Sequence, residues 1–63
     1  MSWTAEQIVG KRVEIHPRYD AWMAGDRFGE VVKVGRKYLH VKMDRSGKTR
    51  KVSNDDDGLQ RVL

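Results

Sequence analysis

The chain has 63 residues, enough for one small domain, because a chain of this length buries only about 60% of the surface its unfolded form exposes. Hydrophobic residues make up 38% and charged residues 35%, with one Pro and six Gly, a balance that excludes an unfolded polar chain and leaves a charge-rich surface. The absence of Cys excludes disulfide stapling and thiolate zinc sites, and a net charge of +4 points toward an anionic partner.

Residues Thr4 to Gln7 read Thr-x-x-Gln, a capping box ahead of Ile8 and Val9, and Gly10 limits it to about one helical turn. Residues 1–9 are therefore a short lead-in to a domain over 10–63. The opening Met-Ser-Trp-Thr-Ala-Glu-Gln has neither the basic start nor the apolar centre of a signal peptide. The longest apolar run, Ala21 to Ala24, is far short of the roughly 20 residues of a membrane span. A soluble, cytoplasmic protein with no membrane partner is expected.

Val13 and Ile15 alternate with Arg12, Glu14 and His16, a half-buried strand that stops at Pro17, which has no amide to extend a ladder. Pro17 to Asp26 shows no periodicity and reads as a long loop anchored by Tyr19 and Trp22. The β-branched Phe28–Val34 is the second strand, with Gly29 marking a bulge or a sharp bend. Gly35-Arg-Lys37 turns it back into Tyr38–Asp44, where Leu39, Val41 and Met43 take one face and Tyr38, His40, Lys42 and Asp44 the other. This strand is the centre of the sheet. Arg45-Ser-Gly-Lys48 supplies a tight hairpin with positive φ, and Thr49 to Val52 returns as strand four. Asn54-Asp-Asp-Asp-Gly58 predicts a turn or a single 3₁₀ turn, capped by the side chain of Asn54 or Asp55. Leu59–Leu63 is a last short strand whose apolar residues complete the core.

Five short strands, a long first loop and two tight hairpins predict an all-β, strongly bent sheet closed on itself. Gly10-Lys-Arg-Val13, Phe28-Gly-Glu-Val-Val-Lys-Val34, Tyr38-Leu-His-Val41 and Asp44-Arg-Ser-Gly47 resemble the KOW, Tudor and SH3-like small barrels. The resemblance implies a five-stranded SH3-like barrel over residues 10 to 63. It also implies a ligand on the first long loop and the exposed face of strands two to four, whether RNA, DNA, a proline-rich peptide or a methylated side chain.

Between Lys33 and Lys51 there are eight basic residues against the single acid Asp44, a net +7, while the remainder carries five basic and eight acidic residues, a net −3. That asymmetry favours nucleic acid, DNA or RNA, with an acidic protein as the other polyanion. Cations at the two hairpin tips (Arg36, Lys37, Arg45, Lys48) and on the sheet (Lys42, Lys51) would neutralise phosphates. Tyr38 and His40 share the outward face of strand three and offer bases a stacking surface. Lys51 is expected outward because Val52 must point inward, which leaves Arg50 on the inner side near the rim.

Phe28 reads as core and Trp3 as a plug for one end. Tyr19 and Trp22 either lie on the core as a lid or stand out as a platform. In a second reading Tyr19, Trp22 and Tyr38 form an aromatic groove for a peptide, with Asp20 and Asp26 selecting basic residues. In a third the domain serves to form homo-oligomers through open strand edges. His16 and His40, 24 positions apart, are too few ligands for a structural zinc, and the acidic run ends before an EF-hand could be completed, so neither metal nor cofactor is expected. No nucleophile lies beside a base, so the chain is read as a non-enzyme. Plasmid-type dihydrofolate reductase, a tiny SH3-like enzyme, uses Val-Gln-Ile-Tyr in its late strand where this chain has Thr49-Arg-Lys-Val52.

Overall fold

The structure is a computed structural model that describes residues 2–55 and 57–63; Met1 of the lead-in and Asp56 of the acidic turn lie outside the described residues. Strands β1 (Arg12–Ile15), β2 (Phe28–Val34), β3 (Tyr38–Met43), β4 (Thr49–Ser53) and β5 (Leu59–Val62) form one antiparallel sheet in the order β4-β3-β2-β1-β5. The all-β expectation holds. The expected closure does not, because β5 pairs with β1 and leaves β4 and β5 as the two edges.

One inner face carries the core. Val13, Ile15, Val31, Leu39, Val41, Met43, Val52 and Leu59 are buried, and Ile8 from the helical turn α1 (Ala5–Ile8) is buried with them. The Gln7 side chain accepts the Thr4 N–H at 2.9 Å, the half of the capping box that fixes where this turn begins. Val41 sits between Val31 on β2 and Arg50 on β4, inside the sheet as its alternation predicts, although the central strand is β2 and not β3, which lies next to the β4 edge.

Two features set the geometry of β2. Gly29 is flanked by Val13 on β1 and Met43 on β3, and a side chain there would run into the carbonyl oxygen of Lys42, so only glycine admits this approach. The bulge lies further along, at Val32: Val31 faces Val41, yet Lys33 faces His40 and Val34 faces Leu39. Val31 and Val34 both belong inside, and three positions is an odd spacing that a regular strand cannot satisfy, so one extra residue is taken up.

Several expectations need correction. Phe28 is not core but stands on the outer face, since the inward positions of β2 are Gly29 and Val31. It faces Glu14, which is buried between Phe28 and Arg61 and accepts the Arg61 Nε–H at 2.8 Å. Of the last strand only Leu59 is buried, while Val62, opposite Val13 on this edge strand, and Leu63 after it are exposed. The long loop contains a helical turn, α2 (Asp20–Met23), too short to leave a periodic signature. Of the two forms expected before β5, the described residues show the turn: Gly58 N donates to Asp55 O, and the Asp55 side chain caps it by accepting the Asp57 N–H at Oδ1.

Asn54 has a larger role than a cap. Its buried amide accepts the Trp3 N–H at 2.7 Å and donates to the Trp3 and Gly35 carbonyls at 3.0 and 2.8 Å. One side chain thereby ties the N-terminal segment, the β2–β3 turn and the end of β4 together, and Trp3 packs against the core beside it. At the β3–β4 hairpin, Gly47 has φ of 73°, the left-handed conformation this connection requires.

Candidate nucleic-acid interface

The outer face of β2, β3 and β4 is built by cross-strand register. Lys33, His40 and Lys51 stand side by side, one from each strand, in a row about 10 Å across. Lys33 and Lys51 are exposed and His40 is half-buried between them. Tyr38, 49% exposed, lies two residues along β3, and the turn carrying exposed Arg36 and Lys37 begins next to it. Among the described residues none of these cations makes an ion pair. Lys33 is a member that alternation alone does not find. The odd spacing of Val31 and Val34 was the available signal, because a regular ladder would turn Lys33 inward against Leu39.

The other proposed cations lie elsewhere. Lys42 is on the same face, but its cross-strand partner on β2 is Glu30, which in turn faces Arg12. Both terminal guanidinium nitrogens of Arg12 donate to the Asp44 carboxylate, and this contact raises the Arg12 pKa above its ordinary value. Charge is therefore balanced toward this end of the sheet and unbalanced toward the Gly35–Lys37 turn. Lys48 is exposed at the β3–β4 hairpin, at the far end of β3 and about 20 Å from Arg36 along the strand. Arg45 extends across Gly25, filling the space a side chain at position 25 would need.

Arg50 points to the inner side, as Val52 dictates. Its Nε donates to Asp26 Oδ2 at 2.9 Å, and Ser46 Oγ donates to the same oxygen at 2.8 Å. The Ser46 hydroxyl, then Arg50, holds the Asp26 carboxyl below its ordinary range against the opposing effect of desolvation. Asp26 is buried, so it is spent on tying the first loop to the hairpin and is not exposed to select a ligand.

The loop aromatics face inward. The Tyr19 hydroxyl accepts the Ser53 N–H at 2.9 Å and lies 3.2 Å from Ser53 Oγ, with its ring against the core. Trp22 also packs on the core, and Arg27 covers its ring at 4.0 Å from the centroid. Its indole N–H is buried and has no acceptor among the described residues. Both residues have the surroundings of a lid, which leaves Tyr38 as the aromatic ring beside the Lys33–His40–Lys51 row, while the outward Phe28 lies at the other end of β2 opposite Glu14.

His16 Nδ1 accepts the Arg18 N–H at 3.1 Å, far from His40 in the fold's register. Among the described residues no three His, Cys, Asp or Glu side chains come together as metal ligands, and no helix is long and apolar enough to cross a membrane. No family model matches this chain, and neither a curated protein nor a solved structure does.

Proposed function

We propose that this chain is a small non-enzymatic β-domain, of the SH3-like kind its motifs resemble, that binds single-stranded nucleic acid on the outer face of β2–β4. The observation that carries the reading is the row Lys33–His40–Lys51, without an ion pair among the described residues, beside the open ring of Tyr38 and the Arg36–Lys37 turn. Cations at strand spacing neutralise successive phosphates, and an exposed ring gives one base a stacking surface without regard to its identity. A sequence-tolerant binder is the result, since phosphates carry no base information. The aromatic-groove alternative draws less support, because Tyr19 and Trp22 are engaged with the protein itself.

The test is a fluorescence titration of labelled single-stranded oligonucleotides, and of the same sequences as duplexes, between 50 and 200 mM salt. Four phosphate contacts, from Lys33, Arg36, Lys37 and Lys51, give a log–log salt slope of about −0.7 each, roughly −3 in total. Tyr38→Ala should lose roughly 1–3 kcal/mol of single-strand affinity with the slope unchanged. Absence of binding at 50 mM salt would overturn the reading.

A further inference from the structure

The open edge of β4 borders a cleft of about 390 Å³, walled on the other side by the first loop and α2. Its lining includes Ile15, Tyr19, Asp20, Ala21, Lys51 and Val52. Hydrogen bonding in the adjoining ladder determines what that edge presents. Met43 N donates to Lys48 O and Asn54 N to Lys37 O, so positions 48, 50, 52 and 54 bond toward β3. Thr49, Lys51 and Ser53 then aim their N–H and C=O groups away from β3. The outward Ser53 N–H is taken by the Tyr19 hydroxyl, which shows that the cleft side is the side they face. For Thr49 and Lys51 there is no such partner among the described residues.

We infer that this cleft takes a short extended peptide, which adds to β4 as a sixth strand over Thr49 and Lys51. A row of alternating backbone donors and acceptors is matched by another extended backbone. The Tyr19 hydroxyl ends the addition at Ser53, so the paired stretch is three to four residues. Side-chain preference follows from the two faces. The residue opposite Lys51 shares its outer face and is acidic. The residues on either side point into the cleft over Ile15, Ala21 and Val52, where small apolar side chains fit and where Asp20 disfavours a second negative charge. An apolar–acidic–apolar peptide is the occupant, rather than a second copy of this chain, whose β5 edge presents Gln60 and Arg61 and has no acid.

The test uses the full chain, ¹⁵N-labelled, titrated with acetyl-Thr-Val-Glu-Val-Thr-amide and followed by amide chemical shifts and hydrogen exchange. Shifts centred on Thr49 and Lys51, with slowed exchange of those two amides, are expected. Replacing the central Glu by Lys should weaken binding about two- to fivefold, the size of one cross-strand charge pair. N-methylating the Glu, whose amide pairs with the Lys51 carbonyl in an antiparallel ladder, or the two Val residues, which carry the edge-pairing groups in a parallel one, should abolish binding in one of the two peptides. Lys51→Glu, an exposed substitution, should reverse the Glu-over-Lys preference. Equal binding of every N-methylated peptide, shifts confined to Lys33, His40 and Tyr38, or edge shifts that track protein concentration without peptide would each overturn the inference.

Discussion

Lys33 and Arg45 make a matched pair for testing how the basic face is assembled. Both are exposed cations near the sheet, but Lys33 stands in the row with His40 and Lys51 while Arg45 lies across Gly25 at the other end of β3. For a single-stranded ligand each phosphate contact contributes about 0.7 to the salt slope, so at 0.1 M salt losing one contact weakens binding roughly fivefold, about 1 kcal/mol. Lys33→Ala should therefore lower affinity roughly fivefold and flatten the slope from about −3 to about −2, while leaving stability within about 0.5 kcal/mol. Arg45→Ala should leave both affinity and slope unchanged. Fluorescence titrations of the two variants at four salt concentrations, with circular dichroism melts alongside, read all of these quantities. If Arg45→Ala flattened the slope as much as Lys33→Ala, or if Lys33→Ala left it unchanged, the assignment of phosphate contacts to the row would be refuted.

Other outcomes follow from the packing. Asn54→Ala orphans the Trp3 N–H and two carbonyls and should cost about 2–3 kcal/mol in urea unfolding, and Asn54→Asp should not rescue it, because a carboxylate cannot donate to the Trp3 and Gly35 carbonyls. Trp22→Ala should lower stability by about 2 kcal/mol, a drop in melting temperature on the order of 10 °C, with oligonucleotide affinity unchanged; the reverse pattern would return Trp22 to the binding surface. Asp26, with its folded pKa depressed by Ser46 and Arg50, stabilises the fold above its unfolded pKa, and that contribution is lost as pH falls below about 4 through the folded value. Asp26→Asn should therefore be less stable at pH 7 and flatten the acid side of the stability profile, measured by denaturation between pH 2 and 7.

The meander of β2, β3 and β4 was legible because each strand has one apolar face, so Leu39, Val41 and Met43 announce their own phase. Val52 likewise determined that Lys51 is outward and Arg50 inward. Phe28 was misread because a glycine holds the adjacent inward position, and a position without a side chain carries no phase signal. The last strand defeats periodicity for another reason: Val62 and Leu63 are apolar but belong to an edge strand and the residue after it, and place in the sheet, not residue type, decides their exposure. Asp26 was misplaced because its partners, Ser46 and Arg50, are brought close only by the folding of the first loop onto the hairpin. The same holds for Asn54, whose partner Trp3 is 51 positions away.

That separation bears on the order in which the domain is made. The β2–β3 and β3–β4 pairings join neighbours in the chain, whereas β1 meets β5 through Val13 and Val62, and Asn54 must reach Trp3 across most of the sequence. Contacts between distant positions return energy only after the entropy of a long loop has been lost, so the meander nucleates and the two chain ends dock onto it. In stopped-flow refolding, Val41→Ala should then slow folding, while Leu59→Ala should chiefly speed unfolding. The basic row belongs entirely to the meander, so the surface assigned to nucleic acid is assembled by the earliest contacts, and the termini act as the late clasp that holds it.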